Sequence, residues 1–269
     1  MINEKIYINE NDDRIWIETY VNDDKNVRPA ILVIPGGGYI SVSHFLEGEP
    51  IAKAFFERGY NAFVLNYGVG EERDVFPKQL LDAGRAMIYI KENADKLFID
   101  KERVFSTGFS AGGHLCGCIA TMFDYPEVVA EFGERAELVR PRGVILSYPV
   151  TVAFEEAHRP SFVNLFRKHF EAIPLAELKR ASLDYAVKAN SSPMFIWHTR
   201  EDVVVPVEGS LKLALAAARC GLPLMTAVYP YGPHALGLAN ESTSRGDARN
   251  VQPLAAVWVD TACEWMKTL

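Results

Sequence analysis

The sequence predicts an α/β protein with a mostly parallel central sheet, helices on both faces and a short helical insertion. Short apolar segments rich in β-branched residues alternate with longer segments in which apolar residues recur every three or four positions. Strands and helices that alternate in this way are joined by right-handed crossovers, which pair the strands in parallel. Hydrophobic residues make up 49% of the 269 residues, and no repeat or low-complexity linker interrupts them. We therefore expect a single domain over residues 1–269.

The first elements follow from local patterns. Residues 5–9 and 14–21 alternate in part around the segment ENDD, which predicts a hairpin. Residues 30–34 (AILVI) are apolar throughout, as in a strand buried on both faces. Residues 49–58 have the apolar spacing of a helix, and Gly59 ends it. The other predicted strands cover 61–67, 103–108, 143–149, 194–199 and 224–230, and the other predicted helices cover 77–94, 111–123, 207–219 and 253–267.

The segment over about 150–192 breaks this alternation. It mixes charged and aromatic residues, and prolines lie at its edges and in its middle. We interpret it as two or three short helices inserted between strands. The regular pattern returns afterwards and ends in the helix over 253–267. That helix is expected to bury Leu254, Val257, Trp258, Ala262 and Trp265.

Charge and composition exclude several classes of partner. The net charge of −7 and the pI of about 5.5 disfavour binding to nucleic acids or anionic membranes. The first residues lack the apolar segment of a signal peptide, and no stretch approaches the roughly 18 apolar residues of a membrane span. The four cysteines show no metal-ligand spacing. We expect a cytoplasmic protein without metal or other cofactor, and the sequence leaves open whether it forms a homo-oligomer.

The segment GFSAGGHL supplies a candidate nucleophile. Gly108, Ser110 and Gly112 form the pattern G-x-S-x-G, with a strand before it and an apolar helix after it. A serine on so sharp a strand-to-helix turn needs small neighbours, because its backbone is strained and the strand and helix nearly touch. The start of the helix also favours negative charge near Ser110. A glycine-rich turn with an incidental serine is the alternative.

A serine hydroxyl needs a base, and six histidines are available. His234 is the best placed, since it follows the last predicted strand in the glycine- and proline-containing loop YPYGPHALGL. Ligands of such sheets bind beyond the carboxyl ends of the strands. The other histidines are expected to have structural or solvent-exposed roles: His44, His114, His158, His169 and His198.

The acid that orients the base is expected in the segment HTREDVVVP. Asp202 follows the predicted strand 194–199 and precedes a helix, and Glu201 is its main rival. A cap or turn role for Asp202 is the alternative. The order serine, aspartate, histidine along the chain matches that of the α/β-hydrolases.

Four segments taken together, PGGGY, GFSAGGHL, FIWHTREDVVVP and YGPHALGLA, resemble the α/β-hydrolase esterases. The resemblance is to the acetyl-xylan-esterase-like branch of carbohydrate acetylesterases, which is related to hormone-sensitive-lipase-type carboxylesterases. It runs from about residue 30 to the C-terminus. It implies the α/β-hydrolase fold, with the insertion as a lid, and a catalytic triad of Ser110, Asp202 and His234.

The resemblance also gives a role to the glycines of IPGGGYI. No Gly-x-Gly-x-x-Gly spacing follows and the turn contains no lysine, so a phosphate-binding loop is not indicated. In the resembling esterases such glycines hold the oxyanion, which implies that Gly37 and Gly38 act there. The amide of Ala111, next to the nucleophile, is the third donor. Tyr39 and Tyr67 are candidate substrate-binding residues.

The function implied is hydrolysis of small acyl esters, acetyl esters foremost, with acetylated sugars or xylo-oligosaccharides as plausible substrates. Two alternatives stay open at this point. Arylformamidases of the kynurenine route resemble this chain in the same motifs, and so do other small-amide or peptide hydrolases. A hydrolase fold used only for binding would lack a triad residue, whereas all three are present.

Overall fold

A single eight-stranded sheet forms the centre of the molecule. The structure is a computed structural model and describes residues 1–269. In chain order the strands are β1 (Lys5–Tyr7), β2 (Trp16–Tyr20), β3 (Arg28–Ile34), β4 (Asn61–Asn66), β5 (Ile99–Phe109), β6 (Val144–Ser147), β7 (Met194–Thr199) and β8 (Leu224–Tyr229).

The sheet is mostly parallel, as the sequence predicts. Its strand order is β1-β2-β4-β3-β5-β6-β7-β8. The predicted hairpin forms the antiparallel pair β1 and β2, and β2 also pairs antiparallel with β4. Every pair from β4 to β8 is parallel. The carboxyl ends of β3 and β5 to β8 therefore lie along one edge of the sheet.

Helices connect the strands. The connections also contain four 3-10 turns, a longer one over 133–139 and three short ones over 170–172, 241–243 and 248–250. The helices are α1 (His44–Glu47), α2 (Glu49–Phe56), α3 (Lys78–Glu92), α4 (Ser110–Thr121), α5 (Pro126–Phe132), α6 (Arg159–Phe166), α7 (Leu175–Ala181), α8 (Leu183–Ala186), α9 (Val207–Arg219), α10 (Pro253–Ala256) and α11 (Trp258–Met266).

Helices cover both faces of the sheet, and each face has its own apolar core. Leu32 and Ile34 of β3 belong to the larger core, together with residues of α3, α4 and α9. Ile31 and Val33 of the same strand belong to the smaller core, with residues of α2 and α11. Side chains alternate between the two faces of a strand, so an all-apolar strand is the pattern expected of a sheet covered on both sides.

The C-terminal helix differs from its prediction. The chain forms two helices, α10 and α11, with a break at Val257. Trp258 and Ala262 are fully buried as expected, whereas Leu254 is 62% exposed and Val257 is 51% exposed. The break changes the helical register, because Ala255 rather than Leu254 faces the core before it. The prediction that Leu254 and Val257 are buried is therefore wrong.

Three α-helices and one 3-10 turn lie between β6 and β7, where the sequence predicts an insertion. They are α6, α7, α8 and the turn over 170–172. Phe162 and Phe166 of α6 are buried in the larger core. Helix α6 also reaches the loop that follows β3, through a hydrogen bond from Asn164 to the carbonyl of Gly38. No helix in the structure has the length and apolarity needed to cross a membrane.

Candidate active site

Ser110 lies on a sharp turn between β5 and α4. Its φ is 53°, a left-handed conformation that is uncommon for a residue other than glycine. A Cβ built on Gly112 would lie 2.3 Å from the carbonyl oxygens of Ile34 and Pro35. Only glycine therefore lets the start of α4 approach the end of β3 this closely. The turn places Ser110 beside the loop after β3 and leaves 8% of the residue exposed.

The three predicted triad residues meet at the carboxyl edge of the sheet. Ser110 follows β5, Asp202 follows β7 and His234 follows β8. The Ser110 hydroxyl donates to His234 Nε2 at 2.8 Å. His234 Nδ1 donates to Asp202 Oδ2 at 2.6 Å. Residues up to 124 positions apart in sequence thus form one continuous hydrogen-bonded chain.

Asp202 is held in a fixed orientation by four donors. Its Oδ1 accepts the backbone amides of Val204 and Val205, each at 2.9 Å. Its Oδ2 accepts from His234 and from His198. Burial alone would raise the pKa of Asp202, but the hydrogen bonds from the two histidines and from the Val205 amide hold that pKa well below its usual range. The carboxylate is therefore charged at neutral pH and can stabilise a protonated His234.

His198 is a member of this network that the sequence does not reveal. Its Nε2 donates to Asp202 Oδ2 at 3.1 Å and to the Val205 carbonyl at 3.0 Å. Ser210 donates its hydroxyl to His198 Nδ1 at 2.8 Å, which sets the tautomer. The position of His198 in β7, four residues before Asp202, was the available signal. A fully buried histidine in a strand is otherwise an ordinary core residue.

Glu201, the rival acid, points elsewhere. It is exposed, and its carboxylate accepts the Gly232 amide at 3.1 Å. His44 stacks on Trp16, with ring centroids 4.9 Å apart, and His158 bonds to the hydroxyl of Ser161. None of these groups bonds to the Ser110 hydroxyl.

The loop after β3, which we call the glycine loop (residues 35–39), is fixed through its carbonyl groups. The Gly36 carbonyl accepts the Ser43 amide at 3.0 Å, and the Gly37 carbonyl accepts the amides of residues 40 and 41. Asn164 donates to the Gly38 carbonyl at 2.8 Å. In a trans peptide the N–H points away from the C=O, so each held carbonyl also fixes the next amide.

The amides of Gly37 and Gly38 donate no hydrogen bond within the protein. The amide of Ala111 lies in the first turn of α4, where helical N–H groups have no intrahelical partner. A Cβ built on Gly36 would lie 3.0 Å from Ser110 Cβ, which measures how closely the glycine loop approaches the serine. Gly37 has a φ of 126°, and a Cβ there would lie 2.2 Å from the Ser41 carbonyl oxygen. The loop conformation thus requires glycine at this position.

Tyr39 and Tyr67 are placed differently from their predicted role in substrate binding. Each is only 1% exposed. The Tyr67 hydroxyl donates to the Pro35 carbonyl at 2.8 Å, and the Tyr39 hydroxyl donates to His114 Nδ1 at 2.6 Å. His114 in turn donates from Nε2 to the Ala181 carbonyl at 2.7 Å. Both hydroxyls are occupied within the protein: Tyr67 bonds to the glycine loop, and Tyr39, the last residue of that loop, anchors it to His114.

The family model BD-FAE matches residues 17–216, about three quarters of the chain. The chain belongs to the BD-FAE family. The match spans β2 to α9 and so includes Ser110 and Asp202.

Two curated relatives are longer proteins. The chain is 42% identical over 232 residues to endo-1,4-beta-xylanase B of Butyrivibrio fibrisolvens, which covers 84% of this chain and 35% of that protein. It is 29% identical over 211 residues to the acetylxylan esterase of Xylanibacter ruminicola, which covers 77% of this chain and 41% of that protein. The chain thus spans less than half the length of these relatives.

The solved structures include one that matches over the whole chain. It is MGS-M1, an α/β hydrolase from a Medee basin deep-sea metagenome library, at 32% identity with a TM-score of 0.81. The match covers 100% of this chain and 97% of that one. The α/β-hydrolase fold that the sequence resemblance implies is therefore confirmed.

Proposed function

We propose that this BD-FAE family member is a serine esterase that removes small acyl groups, acetyl foremost, from the hydroxyl groups of sugars. The observation that carries the proposal is the chain of hydrogen bonds from Ser110 through His234 to Asp202, at 2.8 and 2.6 Å. Serine, imidazole and carboxylate in this order generate a nucleophile at neutral pH.

In the first step the Ser110 hydroxyl attacks the ester carbonyl and His234 Nε2 takes its proton. The resulting imidazolium keeps its Nδ1 proton on the bond to Asp202, whose charge stabilises it. The other three bonds to Asp202 hold the carboxylate still, so it does not have to reorganise while the charge develops.

The tetrahedral intermediate carries a negative oxygen that needs several preorganised donors. The amides of Gly37 and Gly38, unpaired within the protein, and that of Ala111 in the first turn of α4 are the donors we assign. One such donor is typically worth about 10²–10³ in rate. His234 then gives its proton to the departing sugar oxygen, which leaves an acyl group on Ser110. Water, deprotonated by His234, attacks this acyl-enzyme and releases the acid.

The substrate class rests on likeness to relatives. The name of one relative is acetylxylan esterase and that of the other is endo-1,4-beta-xylanase B. An acetyl ester on a xylan-derived sugar is the substrate that fits both names. The negative charge of the chain, −7, agrees with a neutral substrate rather than an anionic one.

A substrate panel tests the proposal. It contains p-nitrophenyl esters from acetyl to octanoyl, acetylated xylo-oligosaccharides and N-formylkynurenine. We expect release of acetate from the oligosaccharides and a preference for the short esters, both abolished in Ser110→Ala. Preferred cleavage of the formyl amide would replace the esterase by an arylformamidase. Acetate release that persists in Ser110→Ala would reject the nucleophile.

A further inference from the structure

A buried carboxyl group behind the glycine loop has no part in the triad. Glu47, at the end of α1, is 2% exposed. None of the ion pairs in the structure includes it. Burying a carboxyl group without a cation is costly, and that burial raises the pKa of Glu47. A residue of this kind is expected only where its oxygens have a specific task.

Both oxygens of Glu47 are hydrogen-bonded to active-site segments. Oε2 accepts the Gly36 amide of the glycine loop at 2.9 Å. Oε1 accepts the hydroxyl of Tyr148, the residue after β6, also at 2.9 Å. The same hydroxyl accepts the Gly237 amide at 2.9 Å. Gly237 lies three residues after His234, so the network reaches the loop that holds the base.

Tyr148 also touches the base directly. Its ring packs edge-on against that of His234, with centroids 5.2 Å apart. One buried group therefore connects the two parts of the site that must move least during the reaction. The first part is the set of amides that we expect to hold the oxyanion. The second part is the His234 imidazole, which carries the proton.

We propose that Glu47 is a positioning residue which, through Tyr148, sets the glycine loop and the His234 loop in register with each other. This rests on the proposed esterase function. Gly36 O is held by Ser43 and Gly36 N by Glu47, so the two bonds anchor the peptide planes on either side of the first glycine. Removing the Glu47 bond loosens the Pro35–Gly36 plane, at the start of the glycine loop, and leaves that plane held only by the Tyr67 hydroxyl on the Pro35 carbonyl. Removing the Tyr148 hydroxyl frees Gly237 and, with it, the loop of the base.

The test uses Glu47→Gln, Tyr148→Phe and the double variant, with Tyr125→Phe as the matched control. Tyr125 likewise donates a hydrogen bond from its hydroxyl, in this case to the Arg180 carbonyl at 3.2 Å, and is not part of the network. We expect kcat for p-nitrophenyl acetate to fall by about 10- to 100-fold in each single variant, with KM within about threefold of wild type. Because both residues act in one network, kcat of the double variant should be no lower than kcat of the less active single variant.

Affinity for a boronic acid, which forms a tetrahedral adduct with the serine, separates positioning from a merely structural role. Partial unfolding lowers the amount of active enzyme but leaves the inhibition constant unchanged. Loss of positioning weakens binding of the boronic acid and so raises the inhibition constant, by a factor similar to the fall in kcat. An unchanged inhibition constant, or losses that multiply in the double variant, would overturn the proposal. If Glu47→Gln does not fold, Tyr148→Phe alone decides. A wild-type protein inactive on every ester would instead reject the proposed function.

Discussion

Replacing Asp202 by asparagine tests the assignment of the catalytic acid most directly. The two backbone amides of Val204 and Val205 need an acceptor, so the asparagine oxygen is expected to take the place of Oδ1. Its NH₂ group then faces His234 Nδ1, which must give up its proton in order to accept. In that tautomer Nε2 carries the proton and cannot take one from Ser110.

The size of the effect follows from the 2.6 Å contact between His234 and Asp202. Imidazolium and carboxylate in such contact have charge centres about 4 Å apart, where their attraction is about 4 kcal/mol at an effective dielectric constant of 20. Losing it costs about 10³-fold in rate, and the wrong tautomer adds to the loss. We expect kcat/KM to fall by about 10³- to 10⁴-fold.

The assay is steady-state hydrolysis of p-nitrophenyl acetate at neutral pH, after thermal unfolding has shown that the variant is folded. Glu201→Gln is the matched control, since it removes a neighbouring carboxylate that bonds only to Gly232 among the catalytic loops. We expect its rate to stay within about threefold of wild type. Retention of more than about a tenth of the activity in Asp202→Asn, or an equal loss in Glu201→Gln, would refute the reasoning.

Three further predictions concern stability and the support of the site. Burial lowers the pKa of His114 from 6.5 to about 4. Its contribution to the free energy of unfolding, about 3 kcal/mol, is therefore complete above pH 6.5 and is lost as the pH falls towards 4. The difference in urea midpoint between pH 7 and pH 4.5 should be smaller in His114→Gln than in the wild type, and an unaltered difference would contradict this. Gly112→Ala places a Cβ 2.3 Å from the Ile34 carbonyl oxygen and should destabilise the fold by about 3 kcal/mol in thermal unfolding. Wild-type stability of this variant would mean that the start of α4 does not lie so close to the end of β3. Asn164→Ala removes the bond to the Gly38 carbonyl and should lower kcat about fivefold, the equivalent of about 1 kcal/mol, with KM unchanged; a changed KM with unchanged kcat would place Asn164 in substrate binding instead.

The parts of the site that the sequence predicts are those encoded locally. The G-x-S-x-G turn, Asp202 after β7 and His234 after β8 each lie within a few residues of a strand end, and parallel strands end at one edge. The strand and helix pattern was equally local, and α9 begins and ends where the periodicity predicts. The break at Val257 was not predictable, because an unbroken apolar periodicity fits the segment as well as two short helices do.

The supporting residues could not be found in this way, because their partners are distant in sequence. Asn164 and Gly38 are 126 positions apart, and Tyr148 and Glu47 are 101 apart. A glutamate in a polar segment normally indicates an exposed helix, so nothing near Glu47 signals burial. The burial of Tyr39 and Tyr67, which the sequence offers as candidate substrate-binding residues, was unpredictable for the same reason. Hydroxyls bonded within the core leave no mark on the local sequence.

The way in which the glycine loop is held ties activity to completion of folding. Its carbonyls are bonded by the neighbouring residues 40–43, by Tyr67 directly after β4 and by Asn164 in the insertion. Contacts that span so much of the chain close large loops and are slow to form. A refolding chain that has regained its helices and sheet, but has not yet docked α6, lacks the bond from Asn164 to the Gly38 carbonyl. We therefore expect enzymatic turnover to return later in refolding than the circular dichroism of the backbone.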